Sequence, residues 1–598
     1  MKTIYSIKAL CMLTFLGTAV AVHAQEDDKK KTLNREMTLE REYDPTVQDA
    51  SKVNTLPEVK DPEVQKIPVD YADFTVPTDP LKEISLLPSG NVMTQMNYNK
   101  RRGYLNLGGG THLNLNGDLG YHILSTDVDQ LRLWVSHRST NGNVKYLQNE
   151  EKVKAKLNDN VGGLQYGHVF DKAVLNMGLK YGYSGFNYYG WPMQLSSSLP
   201  QEDMLKQADR ETNQVNQTIA ASIGVESKEG ADLGYLIDLG FVNFSHKYGV
   251  MKDVDGPKES TFEAKVGFSK GFNGNMRVGV NGLIEYFNYS LPAEKTLANG
   301  SVAFCEFENH AEIALTPYYQ IDGENWLVKL GANVMFKTGN ESFVMASPDV
   351  DLRVTVADKT QLYAKAGGKL YSNSMYEMSK INRYLDPTRE LAPSRNWMDA
   401  VLGIKSGVAP GFWFDLFAGY KATKNDVLFV PSRVFPEGGF GNFSQAMSAV
   451  DTKLLFAGAS LKYSYQQLFE IALKGQYNNW KATYGDGDAW IGIEGTDLAH
   501  AWGKPEMEVN AGVTIRPIRP LSIALNYYLA TGRYTQIGGA DELKMNNINE
   551  LNLTANYNLN DTFGFYVKAG NILNQKYELI YGYPMQGINA MVGVNINF

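Results

Sequence analysis

The segment "ELNLTANYNL", residues 550–559, alternates strictly between polar and apolar side chains. Its odd-numbered positions are apolar and its even-numbered positions are polar. Because successive side chains of a β-strand point to opposite faces, the segment predicts a strand with one apolar and one polar face. The alternation lasts about ten residues, which is the length of a tilted strand that crosses a membrane. The segment therefore predicts a membrane-spanning β-strand.

The same pattern recurs along the chain, for example in "DLGYLIDLGF" (232–241) and "MRVGVNGLIEY" (276–286). Segments of this kind number 22 between residues 103 and 598, and boundaries read from sequence carry errors of about 2 to 4 residues. Counts of 18 or 20 stay open, partly because "GGG" at 108–110 could be a bend within one strand. An even number is required if both ends of the chain lie on the same side of the membrane. We therefore expect an all-β, antiparallel transmembrane barrel.

A soluble β-sandwich or propeller would also show alternation. The predicted strands have about 10 to 14 residues, whereas strands of soluble sheets usually have 5 to 6. The connections also alternate between short and long, which is typical of an outer-membrane barrel. The short connections are 272–275, 322–325, 357–359, 516–520 and 559–562. The long connections are 139–159, 185–213, 246–258, 289–303, 338–345, 372–397, 423–449, 481–504 and 532–545.

The N-terminus predicts export. Lys2 and Lys8 precede an apolar run that is too short to span a membrane, and Ala-Val-His-Ala follows it. We expect cleavage of a signal peptide, residues 1–24, after Ala24. The rest of the chain divides into an extended, proline-rich periplasmic segment, 25–99, and a barrel, 100–598.

Composition excludes several classes of protein. The chain has 35 Tyr, 26 Phe, 8 Trp and 56 Gly, as expected for an all-β protein. Its net charge of −8 becomes −10 when Lys2 and Lys8 are removed, which argues against a nucleic-acid partner. After removal of Cys11 only Cys305 remains, so we expect no intrachain disulfide.

The C-terminal strand has an apolar face that ends on the last residue of the sequence. A barrel has no free edge only if its last strand pairs with its first, so we expect this strand to close the barrel. Its membrane face is predicted to consist of Ile588, Ala590, Val592, Val594, Ile596 and Phe598.

The residues before this strand resemble the end of a TonB-dependent receptor barrel. The stretch "GNILNQKY", 570–577, matches the family's "xNLFNKxY" motif, and "YGYP" follows at 581–584. The arginine that usually follows is absent, because Gly587 precedes Ile588 and Asn589. The resemblance covers about residues 100–598 and implies a 22-stranded outer-membrane barrel that contacts lipid and transports a ligand.

The plug domain of that family has no counterpart here. Only residues 26–99 precede the barrel, and they contain seven prolines, which prevent long regular elements. No apolar TonB box is visible, so contact with TonB is doubtful. The segment could be disordered, thread the lumen, or add as a strand to a lipoprotein or periplasmic partner. The docking candidates are Leu33, Met37, Leu39 and Tyr43.

Charged residues at the polar positions of the alternating strands are expected to face the lumen. They carry both signs, which predicts a hydrated or filled interior without strong ion selectivity. These lumen candidates are Asp232, Asp238, Glu263, Lys265, Arg277, Glu285, Lys329, Lys365 and Lys369. The loop aromatics Tyr188, Tyr189 and Trp191 could bind a ligand or partner, or could belong to an interfacial girdle.

No constellation of catalytic residues is recognisable. The histidines of the exported chain lack the spacing of a metal site, and none has an evident nucleophile beside it. We therefore predict a protein that is not an enzyme and has no cofactor. Two functions remain open: a channel or transport component that lacks a full plug, or a non-transporting barrel subunit of a larger outer-membrane complex. A bare 22-stranded pore would leak, so transport requires an obstruction, which could be residues 26–99, inward-folded loops or a partner.

Overall fold

The computed structural model describes residues 101–191, 213–228, 233–249, 254–292, 295–296, 302–303, 307–388, 390–431, 444–485, 495–538 and 541–598. In this part of the chain the structure is almost entirely β. The helical elements are a short 3₁₀ turn, Thr111–Leu113, and helix α1, Met375–Ile381. The strands are β1 (Gly103–Gly110), β2 (Leu115–Ser125), β3 (Asp129–Lys145), β4 (Lys152–Val169), β5 (Ala173–Asn187), β6 (Asn213–Ser227), β7 (Leu233–His246), β8 (Lys258–Phe272), β9 (Met276–Ser290), β10 (Lys295–Thr296), β11 (Val302–Ala303), β12 (His310–Asp322), β13 (Trp326–Lys337), β14 (Phe343–Ala357), β15 (Thr360–Tyr371), β16 (Ser394–Ala409), β17 (Phe412–Pro431), β18 (Ser444–Tyr465), β19 (Phe469–Tyr484), β20 (Asp497–Leu498), β21 (Met507–Ile518), β22 (Leu521–Thr531), β23 (Tyr534–Gly538), β24 (Asp541–Lys544), β25 (Ile548–Asn558), β26 (Phe563–Gly570) and β27 (Asn589–Asn597).

The main sheet is a closed antiparallel barrel of 22 strands. Each barrel strand pairs with the next one along the chain, and β27 pairs with both β26 and β1. Five short strands are not counted among the 22 barrel strands: β10, β11, β20, β23 and β24. Of these, β20 pairs with the end of β19 over two residue pairs. The prediction of a 22-stranded barrel is confirmed, and the alternatives of 18 and 20 strands are wrong.

The barrel wall has an apolar outer surface. Large apolar side chains on one parity of each strand are exposed, for example Leu239 at 49%, Leu402 at 63% and Val592 at 63%. Exposed apolar side chains in such number are unfavourable in water and favourable in a bilayer. Together with the closed backbone hydrogen bonding, this surface identifies an outer-membrane, multi-pass barrel.

The two ends of the barrel differ in their connections. Ten short turns lie at one end, which also holds the first and last strand residues, since Gly103 and Phe598 exchange backbone hydrogen bonds of 2.8 and 2.9 Å. The turn between β8 and β9 has positive φ at Asn273 and Gly274, as a tight hairpin turn requires. The longer loops lie at the other end, which we call the mouth.

Besides the three predicted long loops that hold the short strands β10, β11, β20, β23 and β24, three others contain longer regular structure. The 139–159 connection is mostly a β3–β4 hairpin that pairs as far as Lys145 and Lys152, and the 423–449 connection is mostly a β17–β18 hairpin. These extensions were predicted as loops because the alternation of apolar and polar residues fades there. The 372–397 connection contains helix α1.

Candidate functional site

The loop between β15 and β16, residues 372–393, extends away from its own strands across the mouth, and we call it the crossbar. It begins with helix α1, whose N-terminus is capped by Ser374, because the Ser374 hydroxyl accepts a hydrogen bond from the Glu377 backbone at 3.3 Å. Glu377 three residues after a serine is the pattern of a capping box. Sequence reasoning missed this helix, although "SMYE" at 374–377 carries the signal.

The base of the crossbar packs against the extension of β17. Met378 and Leu391 of the crossbar form a buried cluster with Val427 and Phe429. All four side chains are less than 9% exposed, so the contact contributes hydrophobic stabilisation outside the membrane. This packing holds the crossbar to the wall from which it starts.

The tip of the crossbar is held by the opposite wall. A guanidinium nitrogen of Arg383 donates to both carboxylate oxygens of Asp159 on β4 at 3.1 Å and to the Ser184 hydroxyl on β5 at 3.3 Å. The guanidinium also lies 5.8 Å from the ring of Phe186. Counting barrel strands only, β4 is the fourth and β15 is the thirteenth of 22. The crossbar therefore reaches almost the full width of the barrel.

An aromatic cluster surrounds this tip. Tyr384 stacks on Tyr583 with ring centroids 4.1 Å apart and an interplanar angle of 15°. Tyr189 contacts both rings edge-on, at 5.4 and 5.2 Å, and Phe186 lies edge-on to Tyr384 at 5.9 Å. Tyr189, Tyr384 and Tyr583 come from three separate connections, so the cluster joins the crossbar to two other parts of the mouth. Tyr188 and Tyr189 are buried here, at 3% and 7% exposure.

The second loop of this cluster connects β26 to β27, residues 571–588, and we call it the closing loop. Arg533, which is 3% exposed, donates to the backbone carbonyls of Glu578, at 2.8 Å, and Leu579. The Glu578 carboxylate accepts hydrogen bonds from the Gly582 backbone at 3.1 Å and from Gln148 at 3.2 Å. Burial outweighs these bonds and raises the pKa of Glu578 above its ordinary value.

A cavity of about 450 Å³ lies between the crossbar, the closing loop and the adjoining wall, and we call it the mouth cavity. Its lining includes crossbar residues 381–384, closing-loop residues 577, 579–581 and 583–586, and lumen-side residues of β2, β3, β22, β25 and β26. A volume of this size is in the range of small-molecule sites. The arrangement is a chamber enclosed on the mouth side by two packed loops.

The predicted lumen charges lie on the strand parity opposite to the exposed apolar side chains. Several form ion pairs: Lys265 with Glu263 at 2.6 Å, and Lys329 with Asp349 at 2.6 Å. Lys365 lies 3.7 Å from Asp351. Pairs of this kind neutralise the wall locally.

The remaining lumen candidates are spread over other strands. Glu285 is in register with Glu263, Arg277 is in register with Gln320, and Asp238 is in register with Lys265. The Lys369 ammonium lies 5.3 Å from the ring of Tyr371. Asp232 lies outside the described residues, as do the docking candidates Leu33, Met37, Leu39 and Tyr43. None of the described candidates lines the mouth cavity, so the predicted lumen charges did not identify it.

The closing strand pairs with β1 over seven residue pairs, from Tyr104–Asn597 to Gly110–Met591. Ile588, Val592 and Phe598 are exposed at 54%, 63% and 50%. Ala590 is also exposed, whereas Val594 and Ile596 have intermediate exposure. The ring of Phe598 stacks on Tyr121 at 6.0 Å.

Solved structures with this architecture are TonB-dependent receptors. The siderophore receptor PiuA from Acinetobacter baumannii aligns with a TM-score of 0.60 and 11% identity over 84% of this chain and 82% of PiuA. The FrpB iron transporter from Neisseria meningitidis aligns with a TM-score of 0.61 and 11% identity over 84% and 82%. The copper transporter OprC aligns with a TM-score of 0.59 and 12% identity over 83% and 80%. The chain therefore has the barrel fold of these receptors and transporters, which are not enzymes.

No protein-family model and no curated protein matches the sequence. In the described part of the chain, no helix is long and apolar enough to cross a membrane. The described residues also contain no group of three or more His, Cys, Asp or Glu side chains placed to hold a metal ion.

Proposed function

We propose that this protein is an outer-membrane transport barrel in which the crossbar obstructs the mouth of a wide lumen. The observation that carries the proposal is the contact of Arg383 with Asp159 on the far wall. Barrels of 16 to 18 strands leave an aqueous channel, so a 22-stranded lumen needs an internal obstruction to hold back solutes. An inward-folded loop that reaches the opposite wall supplies part of that obstruction. The fold that this chain shares with known transporters also supports the proposal.

The crossbar is suited to open and close. Its base is fixed by apolar packing, whereas the described contacts of its tip include the Arg383–Asp159 ion pair, a hydrogen bond to Ser184 and aromatic contacts. Arg383 and Asp159 keep 18% and 31% of their side-chain surface exposed, so water can replace their hydrogen bonds when the tip is released. A loop with a firm base and a weaker tip opens at lower cost than the barrel unfolds.

The proposal includes residues that lie outside the described part of the chain. Residues 1–24 are proposed to direct export, and residues 25–99 to form a periplasmic segment that adds to the obstruction or binds a protein partner. Leu33, Met37, Leu39 and Tyr43 are the residues proposed to dock on that partner. The alternative, a non-transporting subunit of a larger complex, would use the same segment and the loops only as docking surfaces.

The test in cells compares the full chain with three deletions: 26–99, 372–393 replaced by a short Gly-Ser linker, and both together. The readout is sensitivity to vancomycin, an antibiotic too large to cross an intact outer membrane. We expect both single deletions to be more permeable than the full chain and the double deletion to be the most permeable. Heat-modifiable migration on gels controls for folding and membrane insertion. A folded double deletion that leaves cells as resistant as the full chain would overturn the transport proposal.

Affinity purification in mild detergent separates the two functions by a second route. A transport barrel is expected to remain folded and to open on crossbar deletion with no stoichiometric partner present. Recovery of a lipoprotein at stoichiometric amounts, together with an impermeable double deletion, would support the non-transporting alternative instead.

A further inference from the structure

The wall of the mouth cavity carries cations whose charge no described ion pair neutralises, and Lys156 on β4 is one of them. Arg138 on β3 and Lys568 on β26 both line the cavity. Within the described residues, neither forms an ion pair with a carboxylate, and the Lys568 ammonium lies 5.0 Å from the ring of Tyr566. Arg138 is exposed and Lys568 is partly buried, so both are accessible to a molecule inside the cavity.

Apart from Lys156 and Asp118, the other charges that line the cavity are already engaged. Asp159 is paired with Arg383, and the Glu550 carboxylate accepts hydrogen bonds from Tyr577 at 2.5 Å and Asn552 at 2.9 Å. Arg533 donates to backbone carbonyls of the closing loop. The wall around Arg138 and Lys568 therefore has few carboxylates that could neutralise their charge.

One carboxylate lies near Arg138 and Lys568. Asp118 on β2 and Arg138 both interact electrostatically with Lys568. The Asp118 carboxylate accepts a hydrogen bond from the Ser136 hydroxyl at 2.6 Å. One carboxylate for Arg138 and Lys568 leaves about one positive charge unneutralised, and Lys156 on the same wall adds another. That excess of positive charge favours a bound anion in the cavity.

Amide side chains accompany the cations. Asn116 is the register partner of Arg138, and Asn526 lies on the wall of the same cavity. Within the described residues neither amide makes a side-chain hydrogen bond, so each can donate to and accept from a ligand. Cations beside free amides match a molecule that carries both a carboxylate and hydroxyl groups.

We propose that the mouth cavity binds a small hydroxylated organic acid, with Arg138 and Lys568 contacting its carboxylate and Asn116 and Asn526 contacting its hydroxyl groups. This inference rests on the proposed function for the route by which such an acid would enter. The cavity volume of about 450 Å³ accommodates a molecule the size of a sugar acid. Binding beneath the crossbar would place the acid on the path through the barrel.

Titration calorimetry tests the site on the detergent-solubilised full chain, with glucuronate as the probe and glucose as its neutral counterpart. We expect glucuronate to bind at low ionic strength and glucose to bind at least tenfold more weakly, because the contacts to the carboxylate are charge-assisted. Arg138→Gln and Lys568→Gln should each weaken glucuronate binding roughly tenfold. Lys365→Gln, which removes an equal charge from β15, should leave binding unchanged.

Equal affinity for glucuronate and glucose, or no effect of either cavity substitution, would overturn the proposed site. Absence of glucuronate binding to the full chain and to the crossbar deletion would do the same. Binding in detergent requires no transport, so this result is independent of the permeability of the deletions. A positive titration with an impermeable double deletion would refute the transport proposal alone.

Discussion

At the scale of single residues, the mouth depends on charged side chains that are partly or fully removed from water. Arg383 and Asp159 are 224 residues apart in the sequence, and each is unremarkable in its own segment. Their pairing was therefore not predictable from local pattern. By contrast, the parity of the charged strand residues could be read from the sequence, because it follows from the two-residue repeat of a strand.

Replacement of Arg383 by glutamine is expected to release the tip of the crossbar. The substitution removes the charged contacts to both Asp159 carboxylate oxygens and the hydrogen bond to Ser184, which together contribute roughly 1 to 3 kcal/mol. Hydrogen–deuterium exchange should show faster exchange in 372–393 with little change in the barrel strands. Lys380→Gln is the matched control, because the Lys380–Glu377 pair is 47% and 50% exposed and should contribute little. Equal exchange in the two variants would contradict an anchoring role for Arg383.

The stability of the closing loop is expected to depend on pH through Glu578. Burial raises its pKa in the folded loop, so the folded state keeps a proton that the unfolded state loses. The stabilising effect of protonation is fully present below the ordinary glutamate pKa, about 4.3, and is lost as the pH rises through the folded value. After correction for the intrinsic exchange rate, protection of 571–588 should be greater at low pH than at neutral pH. The dependence of this protection on pH should be weaker in Glu578→Gln. An unchanged pH dependence in that variant would contradict the role given to Glu578.

At the scale of elements, the strands were predictable and the mouth was not. The 22 strands were found because a lipid-facing wall must alternate along its whole height, from the residues of β1 to those of β27. Above the membrane this requirement ends. The extensions of β3, β4, β17 and β18 therefore do not alternate between apolar and polar residues, although their backbone pairing continues. Helix α1 had a local signal in its capping box, but the path of the crossbar is fixed by contacts distant in sequence.

The closing seam relies on glycine where β1, β26 and β27 meet. A Cβ at Gly593 would overlap the ring of Tyr566 and the backbone carbonyl of Leu107, whereas a Cβ at Gly109 would lie 3.6 Å from Leu115, an ordinary contact. Gly593→Ala is therefore expected to impair closure, and Gly109→Ala is the matched control. Heat-modifiable migration on gels reports closure. If Gly593→Ala folds as well as Gly109→Ala, the seam does not need the space that glycine leaves.

At the scale of the whole molecule, we propose that the barrel is a wide conduit and that its own loops obstruct it. The sequence predicted the conduit, and it indicated that something must block it, but it left open whether residues 26–99, inward-folded loops or a partner would do so. The structure shows one inward-folded loop that is anchored on both sides of the barrel. In the proposed function, the alternating strands span the membrane and the loop side chains control access to the lumen.

The central claim is that the crossbar obstructs the lumen, and single-channel conductance in planar bilayers tests it most directly. The full chain and the 372–393 deletion would be recorded under the same conditions, with the Lys380→Gln variant as a control that keeps the crossbar in place. We predict small or no conductance for the full chain and the control, and large, long-lived openings for the deletion. Equal conductance in all three proteins would contradict the claim that the crossbar closes the barrel.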